Sequence, residues 1–431
     1  MKHFYTLALI FSSAALNAFA AWDGSASQWT VGSGTESDPY LIENEQHFAY
    51  LQKTVAENET YEGKFFCLAA DLDMDGKTLN PIGFHDDYSL DGVWVEASKV
   101  FLGTFDGAYF TIDNVNVELA SPDVDEIGGV GLFAVGRAAT TIKNLRLGTN
   151  VVVSSTSYMT GGVMGISYGA TIENCSFAGT INGGQGETGG IVGRGEKGSV
   201  VKGCVNSGNV IGNTSTGGVI GSAESAVISD CLHTGSVNGN EGYMVAGIIG
   251  WAAKSELTSC VSLGEVKGIV GYSFLPGISP VCSEFEQSTA SACYYVKALT
   301  GCDPLSAQSG IEAVSEDVMK SAETLSALNG GEAEGAWAAV DGDYPTLAWT
   351  LNQTAGIASV VASDAIEVTV CGSMISINAE NAVYTVADIA GRIVAGGHVA
   401  GQTTVSPAAH GLYIVAVRCA DGSSAVTKLE L

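Results

Sequence analysis

Between residues 161 and 266 the apolar and polar positions repeat one pattern four times. Gly161-Gly162-Val163-Met164-Gly165 leads to Ile172, Cys175, Gly179 and Ile181; Gly189 to Gly193 leads to Val201, Cys204, Gly208 and Val210. The third copy is Gly217 to Gly221 with Ile228, Cys231, Gly235 and Val237, and the fourth is Ala246 to Gly250 with Leu257, Cys260, Gly264 and Val266. The four cysteines stand 29, 27 and 29 residues apart. A fixed period near 28 predicts one coil of a solenoid per repeat, each burying its apolar side against the next. Ile112 and Leu145 continue the ladder upstream and Cys293, in Ala292-Cys293-Tyr294-Tyr295, continues it downstream. About seven coils over 99–299 follow, a rod on the order of 30–35 Å at roughly 4.8 Å per coil. Parallel strands joined by crossovers predict right-handed winding.

The pattern changes at both ends. Over 21–98 an N-terminal cap is expected: Asn44 reads as the N-cap of a helix whose Phe48, Leu51 and Val55 share one face, suited to covering a bare coil. Over 300–352, Ser315 reads as an N-cap, with Val318, Met319, Leu325 and Leu328 apolar and Asn329-Gly330-Gly331 as the stop. Trp337, Tyr344-Pro345 and Trp349 are expected to cover the exit end of the rod. Over 353–431 short alternating strands with turns at Cys371-Gly372, Asp388 to Gly391, Gly396-Gly397 and Asp421-Gly422 predict a small β-sandwich. The fold class is therefore all-β, a right-handed parallel β-helix with short capping helices and a C-terminal sandwich.

Residues 1–20 read as a signal peptide: Lys2, then apolar Phe4 to Leu16, then Ala18-Phe19-Ala20 before Ala21. No other run has the roughly 18 uninterrupted apolar residues that would span a bilayer, so no membrane insertion is expected. With 46 Asp and Glu against 18 Lys and Arg, net charge −28, the surface repels phosphate backbones and anionic lipid. Nucleic acid is excluded as a partner on that ground. The 56 glycines fall at fixed places in the repeats and mark tight corners in ordered structure.

Two parts of the chain resemble known families. The repeats, with Gly34-Thr35-Glu36-Ser37-Asp38-Pro39-Tyr40-Leu41-Ile42, Asp71-Leu72-Asp73-Met74, Pro81-Ile82-Gly83 and Gly103-Thr104-Phe105-Asp106-Gly107, resemble the GLUG motif of bacterial surface and secreted proteins. Asp388-Ile389-Ala390-Gly391-Arg392-Ile393-Val394, Gly411-Leu412-Tyr413-Ile414-Val415 and Lys428 are similar to the C-terminal sorting domain of type IX secretion cargo in Bacteroidetes. The resemblance implies a secreted or cell-surface location and no defined activity.

Candidate chemistry is sparse. Stacked parallel strands hold neighbouring Cβ atoms at the coil spacing, outside the roughly 3.5–4.5 Å a disulfide prefers, so Cys175, Cys204, Cys231 and Cys260 read as buried free thiols. Cys282, Cys293 and Cys302 lie in less regular chain, where a bridge is open to an exported protein. Asp71, Asp73, Asp75 and Gly76 copy the first half of a calcium loop, but position 12 is Ile82, and the alternation with Leu72 and Met74 also fits an ordinary half-buried strand. Gly193 to Gly198 matches GxGxxG with a strand and no helix after it, and Gly165 to Gly169 matches GxSxG without a strand-to-helix turn. Two outward columns are expected: Glu173, Lys202, Ser229 and Thr258 two places before each cysteine, and Phe177, Asn206, His233 and Ser262 two places after. Neither holds a carboxylate pair. No catalytic, cofactor or metal site is expected.

The function these features favour is a non-catalytic, adhesin-like extracellular solenoid presenting a long face to host or glycan ligands, with Tyr168, Phe177 and Trp251 as candidate sugar-stacking aromatics. A spacer without ligand and a polysaccharide lyase or hydrolase are the alternatives, since fold alone does not carry function.

Overall fold

The structure, a computed structural model, describes residues 21–83, 88–90, 93–95, 99–118, 128–156, 159–240, 242–268, 277–304, 307–351, 366–371, 374–388, 392–406, 412–419 and 424–430. The expected signal at 1–20 lies outside them.

The chain winds into a parallel β-solenoid of about 8 turns. One coil runs through the strands Thr188–Gly189, Val192–Glu196, Val200–Lys202, Val205–Asn206 and Asn209–Ile211. The next repeats it as Thr216–Gly217, Ile220–Glu224, Val227–Ser229, Leu232–His233 and Ser236–Asn238. Equivalent strands pair in parallel and in register, Val201 with Ile228, Val205 with Leu232 and Val210 with Val237. The interior is a continuous apolar column set, because each strand alternates one side chain in and one out and the inward one meets its counterpart above and below.

The stack begins earlier than the repeat period reveals. Tyr40–Ile42 and Phe65–Leu68 lie inside the stretch expected to be a cap, yet they are the first two strands of the nine-stranded sheet that carries the ladder. The helix Glu45–Ala56 sits between them, started by the Asn44 side chain, which accepts the His47 backbone N–H at 3.0 Å. Its Phe48, Leu51 and Val55 are buried, and the Phe48 ring meets Phe105 edge-on at 6.1 Å. The helix thus covers the entry coils as its amphipathic face requires.

The exit region differs from expectation. Ile311–Ala313 pairs with Cys293–Tyr295, and Gln308 Nε2 donates to the Cys282 carbonyl at 3.1 Å, so residues near 308–313 finish the last coil. The helices Glu316–Met319 and Ala322–Leu328, the strands Trp337–Ala338 and Thr346–Leu347 and the helix Ala348–Leu351 do not lie over the end. They form a strap along the flank: Met319, Leu328, Trp337 and Leu347 bury against Leu232, Val261 and Val296. Trp349 Nε1 donates to the Gly203 carbonyl at 2.8 Å, and its ring stacks on Tyr109 at 5.4 Å. The cause is local. The residue after each cysteine faces outward, and in three successive coils it is Val205, Leu232 and Val261, an apolar row that water would otherwise cover.

The C-terminal residues form a small antiparallel sheet of Ile366–Cys371, Met374–Asp388, Ile393–Val405, Leu412–Cys419 and Ser424–Glu430, irregular between Ala379 and Ala382. It has its own core, including Ile375, Ile377, Val386, Val415 and Val417.

The glycines of the repeat mark places without room. A Cβ at Gly208 would overlap the Gly179 carbonyl oxygen, and one at Gly235 would overlap that of Gly208, so these corners stack backbone on backbone as expected. In the doublets the reason is a crease. At Gly189 a Cβ would overlap the Val192 carbonyl oxygen, where two strands of the coil fold face to face.

Candidate functional site

The interior holds most of the reactive side chains. Cys175, Cys204, Cys231 and Cys260 are free and buried, as read from the repeat. Each thiol donates to the carbonyl two places before it, at 3.3 Å to Glu173, 3.4 Å to Lys202, 3.3 Å to Ser229 and 3.3 Å to Thr258. Burial pushes Cys204, Cys231 and Cys260 well above the ordinary thiol value, so they stay protonated and inert. Cys282, Cys293 and Cys302 are also free, with Cys302 pushed up to about 11 by burial. The disulfide the chain does contain involves Cys67, in the second strand of the ladder sheet, which no spacing singled out.

One expected outward column is an inward one. Phe177, Asn206, His233 and Ser262 are wholly buried. The corner before each cysteine is occupied by a left-handed residue, Asn174 at φ +51°, Gly203 at +63°, Asp230 at +54° and Ser259 at +52°, which takes one position out of the alternation. Two places before the cysteine is therefore outside, while two places after has the same parity as the cysteine and is inside. Phe177 is thus removed from the candidate sugar platforms, and His233 is no surface histidine. Its Nδ1 lies 3.3 Å from Asn206 Nδ2, and Asn206 Oδ1 accepts the Gly208 N–H at 3.0 Å. Burial lowers His233 from 6.5 to about 4, and its Nε2 has no protein partner.

The motif matches resolve into structure. Ser167 is buried mid-strand in Met164–Tyr168, its Oγ 2.7 Å from Ser199 Oγ. Gly193 lies in the strand Val192–Glu196, and Lys197 and Gly198, at φ +55° and +84°, turn the chain into Val200–Lys202. Asp71 accepts the Thr111 N–H at 2.7 Å, and Asp73 Oδ1 accepts the Asp75 N–H at 2.9 Å and Asn114 Nδ2 at 2.8 Å. Those oxygens hold a bulge at Asp75 and Gly76, both left-handed. Among the described residues no group of three or more His, Cys, Asp or Glu is arranged to hold a metal.

What remains for function is the outer surface, which has three kinds of column. On the ladder sheet Lys143, Glu173, Lys202, Ser229, Thr258 and Ser291 stack in register, with Glu173 and Lys202 3.9 Å apart. Beside the crease Arg137, Tyr168, Glu196, Glu224, Ala253 and Glu286 stack, and Lys197 Nζ stands 4.7 Å from the Tyr168 ring centre. Tyr168 and Trp251 are both half-buried there. Past the Gly179 to Gly264 corner, Val152, Thr180, Asn209, Ser236 and Glu265 form one row and Ser154, Asn182, Ile211, Asn238 and Lys267 another. A cleft of about 500 Å³ lies between the entry coils and the C-terminal sheet, lined among others by Phe65, Asp106, Lys143 and Met374. Its Asp106 is already held by Lys143 at 3.3 Å, Asn144 Nδ2 at 3.0 Å and the Ala108 N–H at 2.8 Å.

With this geometry in hand, three likenesses place the chain. Residues 156–182 match the family model of the GLUG motif, one coil of the stack. Over 186 residues, 40% of this chain, the sequence is 28% identical to Halomucin of Haloquadratum walsbyi, and the match spans 2% of that protein's length. A crystal structure from Bacteroides ovatus, described as a "putative immunoglobulin A1 protease", has the same fold at a TM-score of 0.51 and 21% identity, covering 74% of this chain and 95% of that one. The chain is a GLUG-bearing parallel β-solenoid with a C-terminal antiparallel sheet.

Proposed function

We propose that the protein is a non-catalytic extracellular solenoid that displays its outward columns, adhesin-like, to glycan or host-surface ligands. The observation that carries this reading is the sorting of side chains by the coil. Ser167, His233 and the ladder thiols point inward and are sealed, whereas rows of hydroxyl, amide and charged groups recur on the outside at the strand spacing. Rows that recur at one fixed spacing suit a repetitive ligand. The similarity to Halomucin supports an extracellular setting, and the half-buried Tyr168 and Trp251 stay available at their outer edges. A glycan array probed with the full chain tests the reading: retention of one structural class of glycan is expected, and uniform lack of retention would leave the spacer.

The hydrolytic alternative draws on the Bacteroides ovatus neighbour, whose fold alone is shared. Incubating the chain with polysaccharides and with immunoglobulin A1 decides it; release of new reducing ends or fragments would replace display with catalysis. As part of the same proposal, the sheet from residue 366 onward serves as the sorting module. Removing residues 356–431 is expected to leave a folded solenoid retained in the periplasm, and unchanged surface exposure would refute that role.

A further inference from the structure

We infer that the uncharged rows beyond the glycine corner are the binding face, and that their ligand is a neutral, extended β-linked polysaccharide laid along the solenoid axis. This rests on the display reading above and names its face and ligand class.

The face stands out by what it lacks. In a chain of net charge −28, the four coils carrying Val152 and Ser154, Thr180 and Asn182, Asn209 and Ile211, and Ser236 and Asn238 present no ionisable group in these two rows. The charges resume in the next coil, where Glu265 pairs with Lys267 at 2.8 Å, and in the coil before, where exposed Glu118 follows Val117, the partner of Val153. Asn182, Asn209 and Asn238 are exposed, and the strap that covers the neighbouring apolar row leaves them bare. Hydroxyls and carboxamides offer donors and acceptors together, which suits a polyol. Desolvating them against sugar hydroxyls costs far less than desolvating the Glu and Lys columns elsewhere on the rod.

The rows are also organised in advance. Ser236 Oγ donates to Asn209 Oδ1 at 2.8 Å, and Asn182 Nδ2 reaches Ser154 Oγ at 3.4 Å. In the adjoining turns Asn240 Nδ2 donates to Asn213 Oδ1 at 3.3 Å, and Asn213 Nδ2 to the Gly184 carbonyl at 2.9 Å. Side chains already held by their neighbours lose little freedom when a ligand arrives. The vertical repeat is the strand spacing, about 4.8 Å, close to the length of one hexopyranose unit in an extended β-linked chain. Each coil can therefore meet one sugar, alternate sugars of a two-fold β-1,4 chain turning opposite edges to the face. At the edge of this face Tyr243 is exposed at 39%, an aromatic surface on which a sugar ring can stack.

The test uses the full chain and calorimetric titration with neutral β-linked gluco-oligosaccharides of increasing length, and with a sulfated series of matching length. Affinity for the neutral series is expected to rise with length and level off near about four units, one for each uncharged coil. The double variant Asn209→Glu, Asn238→Glu should weaken binding about tenfold or more, and Tyr243→Ala by a smaller factor. Thr258→Glu, on the ladder sheet, should bind as the parent does, and unchanged melting of each variant confirms folding. Binding that survives the double variant would move the site elsewhere while leaving the display reading intact. Preference for the sulfated series would overturn the neutral ligand, and no binding to either series would overturn this inference whatever class the glycan array retains.

Discussion

One inward column contrasts the two ends of the solenoid. Read from the entry, it passes Tyr40, Phe66, Phe105, Ile142, Ile172, Val201, Ile228, Leu257 and Ala290, all in parallel register. The entry coils are filled by rings: Trp29 meets Phe66 at 5.1 Å, Phe66 meets Phe101 at 5.7 Å, and Phe101 and Phe105 both meet Phe133 within 5.5 Å. Those rings adopt tilted and edge-on arrangements, so no two entry coils hold the same shape. The later coils are filled by small aliphatic and thiol groups that stack identically, and only there does the strand start recur at a steady interval, Thr171, Val200, Val227, Glu256. The entry coils also carry the helix Glu45–Ala56 and the hairpin of Tyr88–Leu90 and Val93–Val95 between their ladder strands, so their spacing varies, and a solenoid can extend beyond the part whose period is visible.

Substitutions can break or sharpen this contrast. The largest effect is expected from Gly208→Val in the regular coils, where the added side chain meets the Gly179 carbonyl and neither coil can yield; a loss of about 5 kcal/mol by urea denaturation is expected. A loss as small as that of a surface change would mean that the corners are not stacked. Phe105→Ala in the entry coils should lose about 3–5 kcal/mol, against about 0.5–1.5 for Ile228→Val at the same column position. Because Phe66 and Phe105 are direct neighbours, the double change Phe66→Ala, Phe105→Ala should depart from additivity, whereas Phe105→Ala with Ile228→Val should add.

Acid should weaken the regular coils selectively. His233 stays neutral down to about pH 4 when folded but takes a proton near its ordinary 6.5 when unfolded. The unfolded state binds more protons between those values, so stability falls as pH drops from about 6.5 to about 4 and levels off below. The stability at stake is about 3 kcal/mol. His233→Gln should flatten the pH dependence of the denaturation midpoint in that window, and an unchanged slope would assign it to other groups.

Smaller effects remain. Cys204→Ser should lose about 1–3 kcal/mol by burying a less well paired hydroxyl. In the parent, the ladder thiols should react with a thiol reagent only after denaturation, and native reactivity matching the denatured rate would contradict their burial. Lys202→Ala, on the outer column beside Glu173, should change stability by no more than about 0.5 kcal/mol.

The four regular coils, their free thiols and their crowded glycines were legible because each is a short-range pattern repeated without change. Four features were not. The parity of the column after the cysteine depended on a left-handed corner, and Asn174, Asp230 and Ser259 share that conformation without sharing a residue type. The first coils lacked a period because a helix and a hairpin are inserted between their ladder strands. The course of the strap depended on which outward row was apolar, and Val205, Leu232 and Val261 look like core residues until the register is known. The candidate binding rows were hidden for the same reason: Asn182, Asn209 and Asn238 become neighbours only when three coils are laid in register.

The strap also fixes how the protein can change its length over evolution. A bare solenoid can gain a coil by duplication, since each new coil offers the same two surfaces as the old. Here the chain leaves the last coil near Val314 and returns along the flank until Trp349 reaches the Gly203 carbonyl and Tyr109. A coil duplicated between Cys204 and Cys260 would lengthen that path by one strand spacing and draw Trp349 off its anchor. The strap therefore acts as a ruler, and a relative with an extra coil in this stretch should carry a compensating insertion between 314 and 349.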